Sequence, residues 1–256
     1  MGAMVELNNI HKSLGGKAVL NGVSLEVKKG EVVVILGPSG GGKTTLLRTI
    51  NFLNPADSGT VTIDGLSVDS SRKQKSKVLE LRRRTAMVFQ NYCLFKNKTV
   101  LDNITEGPVT VQKKSRKEAE AKAAELLDRV HLTDKKDSYP SELSGGQQQR
   151  VGICRALALE PRVILFDEPT SALDPELVGG VLATIKDVAA TGITMIIVTH
   201  EIKFAREVAD KVVFMEGGKI VEEGPPEQVI DQPQDQRTRK FLCSLLGEDY
   251  GTDYYI

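Results

Sequence analysis

The stretch "EVVVILGPSGGGKTT", residues 31–45, decides the fold. Val32 to Leu36 is an apolar run of strand length, and it leads straight into a glycine-rich loop. Lys43 to Phe52 then carries a helical pattern. Gly37-Pro38-Ser39-Gly40-Gly41-Gly42-Lys43-Thr44 fits G-x-x-x-x-G-K-[ST], in the strand–loop–helix setting that this motif needs. Glycines let backbone N–H groups converge on phosphate oxygens without Cβ clashes, and the helix N-terminus adds partial positive charge. Lys43 is placed to reach terminal phosphates and the Thr44 hydroxyl to ligate Mg²⁺, with Thr45 beside them.

Outward from this stretch, strand-length apolar runs alternate with helical patterns, which reads as α/β with a mainly parallel sheet. "VILF" (163–166), "ITMIIV" (193–198) and "VVFM" (212–215) are further core strands. Asp174-Pro175 offers an N-cap and a helix-opening proline. Leu177, Val178, Val181, Leu182, Ile185 and Val188 share one face of the helix that follows, and Gly192 ends it. From about Tyr92 to Glu160 the pattern is helical, with Ala119, Ala123, Leu126, Leu127 and Val130 as a stripe. That stretch reads as a helical insertion between two parts of one sheet, and "SSRKQKSK" (70–77) as a solvated loop.

Lys plus Arg is 34 and Asp plus Glu is 34 in 256 residues, a balance that argues against a nucleic-acid binder working through bulk charge. Cys93, Cys154 and Cys243 lie far apart with no CxxC pair, as in a reduced, intracellular chain. No apolar run nears the roughly 18 residues that a spanning helix needs. "MGAMVELNN" lacks the basic and apolar regions of a signal peptide, so membrane work calls for another subunit.

A Mg²⁺ partner is expected at the carboxyl end of a core strand, where α/β sheets place ligands. "VILFDEPT" supplies Asp167 to hold the metal, largely through water, and Glu168 to polarise an attacking water. A lone acidic pair there is an ordinary strand edge or cap; joined to the glycine loop it reads as chemistry. His200 ends another strand in "IIVTHE" and is expected near a γ-phosphate, while His11 and His131 read as structural. Gln90 in "MVFQN" offers an amide oxygen to a metal or a water, and on the residues alone its role stays open.

"LSGGQ" (143–147) is a helix start, with Ser144 and Gln147 as a capping box and two glycines at a positive helix end. With "GPSGGGKT", Gln90, "FDEP", "SALD" and "TH" in this order, the chain resembles, over essentially its whole length, the nucleotide-binding subunits of ABC transporters. The resemblance implies a P-loop NTPase core (1–91 and 161–235) with a parallel sheet and an antiparallel N-terminal β portion. It also implies an inserted helical subdomain (about 92–160) and a C-terminal tail (236–256). It further implies a head-to-tail homodimer in which each ATP lies between one copy's Gly37–Thr45 and the other copy's Ser144, Gly145, Gly146 and Gln147. By the same resemblance Asp174 signals between the two sites, His200 contacts the γ-phosphate, Gln90 touches Mg²⁺ and the attacking water, and Glu168 is the catalytic base.

"NYCLFKNKTVLDNITEGP", "YPSELSGGQQQRV" and "THEIKFAREVADKVVFMEGGKIVEEGPPEQV" look like the polar amino acid uptake branch of that family, which serves bacterial import. That implies ATP and Mg²⁺ as cofactors and a membrane permease received near residues 90–105. It also implies an extracellular solute-binding protein as an indirect partner, no nucleic acid, and a peripheral place on the cytoplasmic face of the membrane. Two positions depart from the branch: Leu14 stands where an aromatic usually stacks on adenine, and Gly180 stands in a helix where branch members tend to carry a charged residue. A non-transport regulatory module is the alternative, and intact Glu168 and His200 speak against it. A DNA-repair ATPase would need a coiled-coil insertion for which the chain has no room.

Overall fold

The computed structural model describes residues 2–246. β1 (Ala3–Leu14) and β2 (Lys17–Lys28) form a long hairpin; β3 (Val32–Leu36) enters the glycine loop and α1 (Lys43–Ile50) leaves it. β4 (Ser58–Ile63), β5 (Leu66–Asp69), α2 (Lys75–Arg83) and β6 (Thr85–Val88) follow. Three α-helices then run without an intervening strand: α3 (Val100–Thr110), α4 (Arg116–Arg129) and α5 (Gly145–Leu157). β7 (Val163–Asp167), α6 (Pro175–Ala189), β8 (Thr194–Val198), α7 (Ile202–Val208), β9 (Lys211–Glu216), β10 (Lys219–Gly224) and α8 (Gln236–Leu246) complete the described strands and α-helices.

The chain forms two compact units, one from its two ends, up to Arg82 and from Thr194 on, and one from Arg83–Ile193 between them. In the first, β2-β1-β4-β5 is an antiparallel sheet, and β9, β3 and β8 run parallel with β10 antiparallel on β9. β3 and β8 are buried along their whole length, which is why each reads as a nearly continuous apolar run and not as an alternating one.

In the second unit β6 and β7 pair in parallel, and the helices gather a core of their own from Val100, Ile104, Leu126, Leu127, Val151 and Cys154. The alanine–leucine stripe of α4 is buried there, each buried leucine contributing about 1.5–3 kcal/mol. Burial pushes the Cys154 thiol up to about 12, so it packs as an inert small apolar group. His131 stops α4: it is left-handed (φ 55), its N–H bonds Asp128 O at 3.1 Å, and Leu132 N–H bonds Leu127 O at 2.9 Å. His11 bonds Asn9 Oδ1 at 3.0 Å, so both histidines serve structure.

Two local expectations are corrected. The charged run 70–77 is not all loop, because Lys75 to Lys77 open α2. Only Leu81 of that helix is buried, too few apolar positions to show a period. Asp174 does stand at the N-cap of α6 with Pro175 behind it, but its side chain makes no capping bond. The expected tail of 236–256 opens as α8, and its last ten positions lie outside the described residues.

Candidate functional site

The glycine loop is held by backbone hydrogen bonds. Gly41 N–H bonds Pro38 O at 3.1 Å, Gly218 N–H bonds Gly41 O at 3.2 Å, and Leu46 N–H bonds Gly42 O at 2.8 Å. Gly37 has φ 141, and a Cβ there would lie 2.0 Å from the Met215 carbonyl oxygen, so no other residue fits. Lys43 is buried (4% exposed), and its Nζ donates to Gly37 O at 2.7 Å and Pro38 O at 2.9 Å. The ammonium is thereby aimed across the loop rather than into solvent. α1 begins at Gly42 without a side-chain cap, leaving its N-terminal turn to the loop. Thr44 and Thr45 stand half-buried in that turn, while Ser39 and Gly40 are exposed.

Parallel pairing brings His200 to this end. Ile35 pairs with Val198, so Gly37 and His200 each lie two residues beyond the same rung at the strands' carboxyl edge. Leu14 closes β1 at the hairpin turn and is 46% exposed, with Lys17 as its pairing partner. Asp57 anchors the residues before it, accepting from Lys12 Nζ at 2.8 Å and from Ser13 N–H at 2.6 Å. Those bonds hold the Asp57 carboxyl below the usual carboxylate range.

The second unit repeats the arrangement with acids. Val88 pairs with Phe166, so Gln90 and Glu168 each lie two residues beyond a shared rung of β6 and β7. Asp167 is buried (2% exposed) as the last residue of β7. Glu168 is half-buried in the left-handed region (φ 46), a backbone state that costs a glutamate of order 1–3 kcal/mol and marks a functional turn. Ser171 holds this turn, its N–H at 3.3 Å and its hydroxyl at 3.0 Å from Glu168 O.

Ser144 forms the capping box at α5: its Oγ accepts from Gln147 N–H at 3.3 Å and its own N–H donates to Gln147 Oε1 at 2.9 Å. Gly145 lets the chain pass close to its neighbours, since a Cβ there would meet Tyr92 Oη at 2.7 Å and Leu173 Cδ2 at 3.1 Å. Asp174, three residues after Ser171, is exposed. The reading of the sequence missed the groups that tie these motifs together. Gln149 Nε2 donates to Phe89 O at 3.2 Å, Arg155 donates to Cys93 O at 2.6 Å and Tyr92 O at 3.1 Å, and Tyr92 Oη donates to Ala172 O at 3.1 Å. Each joins residues 60 or more positions apart, and no spacing in the sequence signals such a pair.

Comparison with known proteins identifies the family. The family model described as ABC transporter matches residues 20–171. The L-cystine import ATP-binding protein TcyC of Bacillus subtilis is 54% identical over 245 residues, 95% of this chain and 99% of its own length. The L-cystine transport system ATP-binding protein TcyN of Escherichia coli is 55% identical, covering 94% and 98%. A dimeric ATP-binding cassette solved in a post-hydrolysis state with ADP and Pi is 34% identical and superimposes with TM-score 0.76 over 87% of this chain and 99% of that one. With a family model over more than half its length and relatives over nearly all of it, the chain belongs to the ABC transporter family of ATPases.

Proposed function

We propose that this ATPase powers a bacterial importer of polar amino acids, working as a head-to-tail pair against a separate membrane permease. The observation that carries the reading is near-full-length similarity to amino-acid import ATP-binding proteins combined with an intact acid, Glu168, at the end of β7. Among the described residues no helix is long and apolar enough to cross a membrane; in this proposal the subunit sits peripherally on the cytoplasmic face. The permease meets the segment of about 90–105, and a solute-binding protein acts through the permease. The helical stretch of about 92–160 acts as a subdomain inserted in the single cassette.

In this reading ATP lies on the Gly37–Thr45 loop of one copy, with Leu14 against the base. Ser144, Gly145, Gly146 and Gln147 of the other copy close on the γ-phosphate, and Asp174 links the two sites. Thr44, Asp167 and Gln90 would hold Mg²⁺ by the family resemblance, through hydroxyl, carboxylate and amide oxygens, which are hard donors of the kind it takes. Bound there, Mg²⁺ would supply charge neutralisation at the phosphates. Glu168 accepts a proton from the attacking water as its oxygen bonds the γ-phosphorus and ADP departs, and His200 steadies the γ-phosphate.

The test is Glu168→Gln. Removing the base leaves both phosphate-facing loops whole, so steady-state hydrolysis is lost while Mg-ATP drives a stable dimer. Size-exclusion chromatography reads the outcome. A variant that stays monomeric with ATP, or turns over like the parent, overturns the assignment.

A further inference from the structure

We infer that Tyr92 is a positioning residue for the ATPase, its hydroxyl setting the distance between the "SALD" turn and the Gly145 end of α5. The inference rests on the proposed ATP sandwich and adds to it a residue that touches no nucleotide. Tyr92 Oη donates to Ala172 O at 3.1 Å and would be 2.7 Å from any Cβ at Gly145, so one hydroxyl lies against both motifs. Burial and the Asp174 carboxylate push the phenol up, keeping it a proton donor.

The backbone that carries this side chain is fixed from α5 as well. Tyr92 and Cys93 are left-handed (φ 56 and 53), a state that persists only where the surroundings impose it. The imposing group is Arg155, whose guanidinium holds the carbonyls of both residues, while Gln149 holds Phe89 on the other side of Gln90. The Gln90 segment is thus clasped on both sides by the helix whose first turn is "SGGQ". Tyr92 returns the contact to that first turn and to "SALD". A change in one segment is passed to the other two without any contact to ATP.

Full-length proteins in the Glu168→Gln background test this by analytical ultracentrifugation with Mg-ATP, ATP titration at dilute protein, and thermal unfolding. Tyr92→Phe removes one hydrogen bond and keeps the ring, so ATP-driven association weakens about threefold to tenfold. Dilute-monomer ATP affinity stays at the parent value, and the melting temperature falls by no more than the few degrees that one lost hydrogen bond allows. Gly145→Ala weakens association further, because its methyl strikes the tyrosine hydroxyl. Adding Tyr92→Phe to it recovers part of the loss, as that hydroxyl is gone.

Association unchanged in Tyr92→Phe, or strictly additive losses in the double variant, overturns the inference. So does a melting temperature that falls together with monomer ATP affinity, which marks a general packing role. If Glu168→Gln alone stays monomeric with ATP, the sandwich reading fails first and the inference goes with it.

Discussion

Gly37 to Thr44 and Ser144 to Gln147 both end in the first turn of a helix, yet glycine stands in them for different reasons. In the first stretch the backbone itself demands it, with Gly37 at φ 141 and no space for a Cβ beside Met215 O. In the second the neighbours demand it, since Tyr92 and Leu173 crowd Gly145 while Ser144 and Gln147 form a capping box. The first loop is a finished cradle inside one unit, its lysine already turned inward. The second is a surface whose shape depends on which side chains pack behind it. In the proposed sandwich, the first loop holds a nucleotide and the second closes on a nucleotide held by the other copy.

The strongest way to break this contrast is Gly37→Ala. Forcing a methyl against a carbonyl oxygen in a left-handed backbone costs about 3 kcal/mol, at the upper end of single-site strain and overpacking. Chemical denaturation should show the loss and ATP titration should show binding abolished. A variant with the parent's denaturation midpoint would falsify the claim that the backbone dictates this position.

Leu14→Phe sharpens the same contrast at the proposed base end of the first site. Leu14 is exposed at the close of β1 and gives apolar contact without a π-face. Base–aromatic stacking is worth about 1–3 kcal/mol, so the phenylalanine variant should bind ATP and GTP tighter by roughly one to two decades. Turnover at saturation should hardly move, because the contact is equal in ground and transition states. Unchanged or weaker ATP binding would place Leu14 away from the adenine.

What the sequence made legible follows from locality. β3, β7, β8 and β9 are short, wholly or almost wholly apolar runs, and α5 and α6 open with side-chain signals within four residues of their starts. α2 escaped notice because a single leucine anchors it. The capping role of Asp174 was half right, since position was readable and the missing side-chain bond was not. Tyr92, Gln149 and Arg155 escaped altogether, because a donor that meets a carbonyl 60 to 80 residues away has no local signature.

Ser144→Ala probes the second stretch with a smaller step. It deletes the acceptor for Gln147 N–H, and loss of such a cap costs about 1 kcal/mol, whereas Ser144→Asn, which still caps, should cost a few tenths. Binding of ATP by dilute monomer should be the same in all three proteins. A drop in monomer affinity would mean that this helix end serves the nucleotide of its own copy.

The smallest expected effect comes from a glycine that neither backbone nor neighbour requires. Gly179 and Gly180 sit exposed in the middle of α6 with helical geometry, and a Cβ at either meets nothing within 4 Å. Here the residue only widens the unfolded ensemble, so Gly180→Ala should stabilise the protein by about 0.5–1 kcal/mol. Adjacent helix positions do not face each other, so Gly179→Ala should add a similar amount independently. For a chain of this size about 1 kcal/mol moves the melting temperature by roughly 2–4 °C, within reach of calorimetry. The Thr184 hydroxyl, which bonds Gly180 O at 3.0 Å, keeps its acceptor in the variant. Turnover decides what the glycine pair is for. α6 opens directly after Asp174 and packs Leu177 beside Gly146, so a stiffer helix reaches the second site without changing its chemistry. Higher stability with unchanged kcat leaves the pair as a plain concession in helix propensity. Higher stability with lower kcat at unchanged monomer ATP affinity would show that yielding in α6 is part of the cycle, and the second stretch would then depend on what lies behind it in motion as well as in shape.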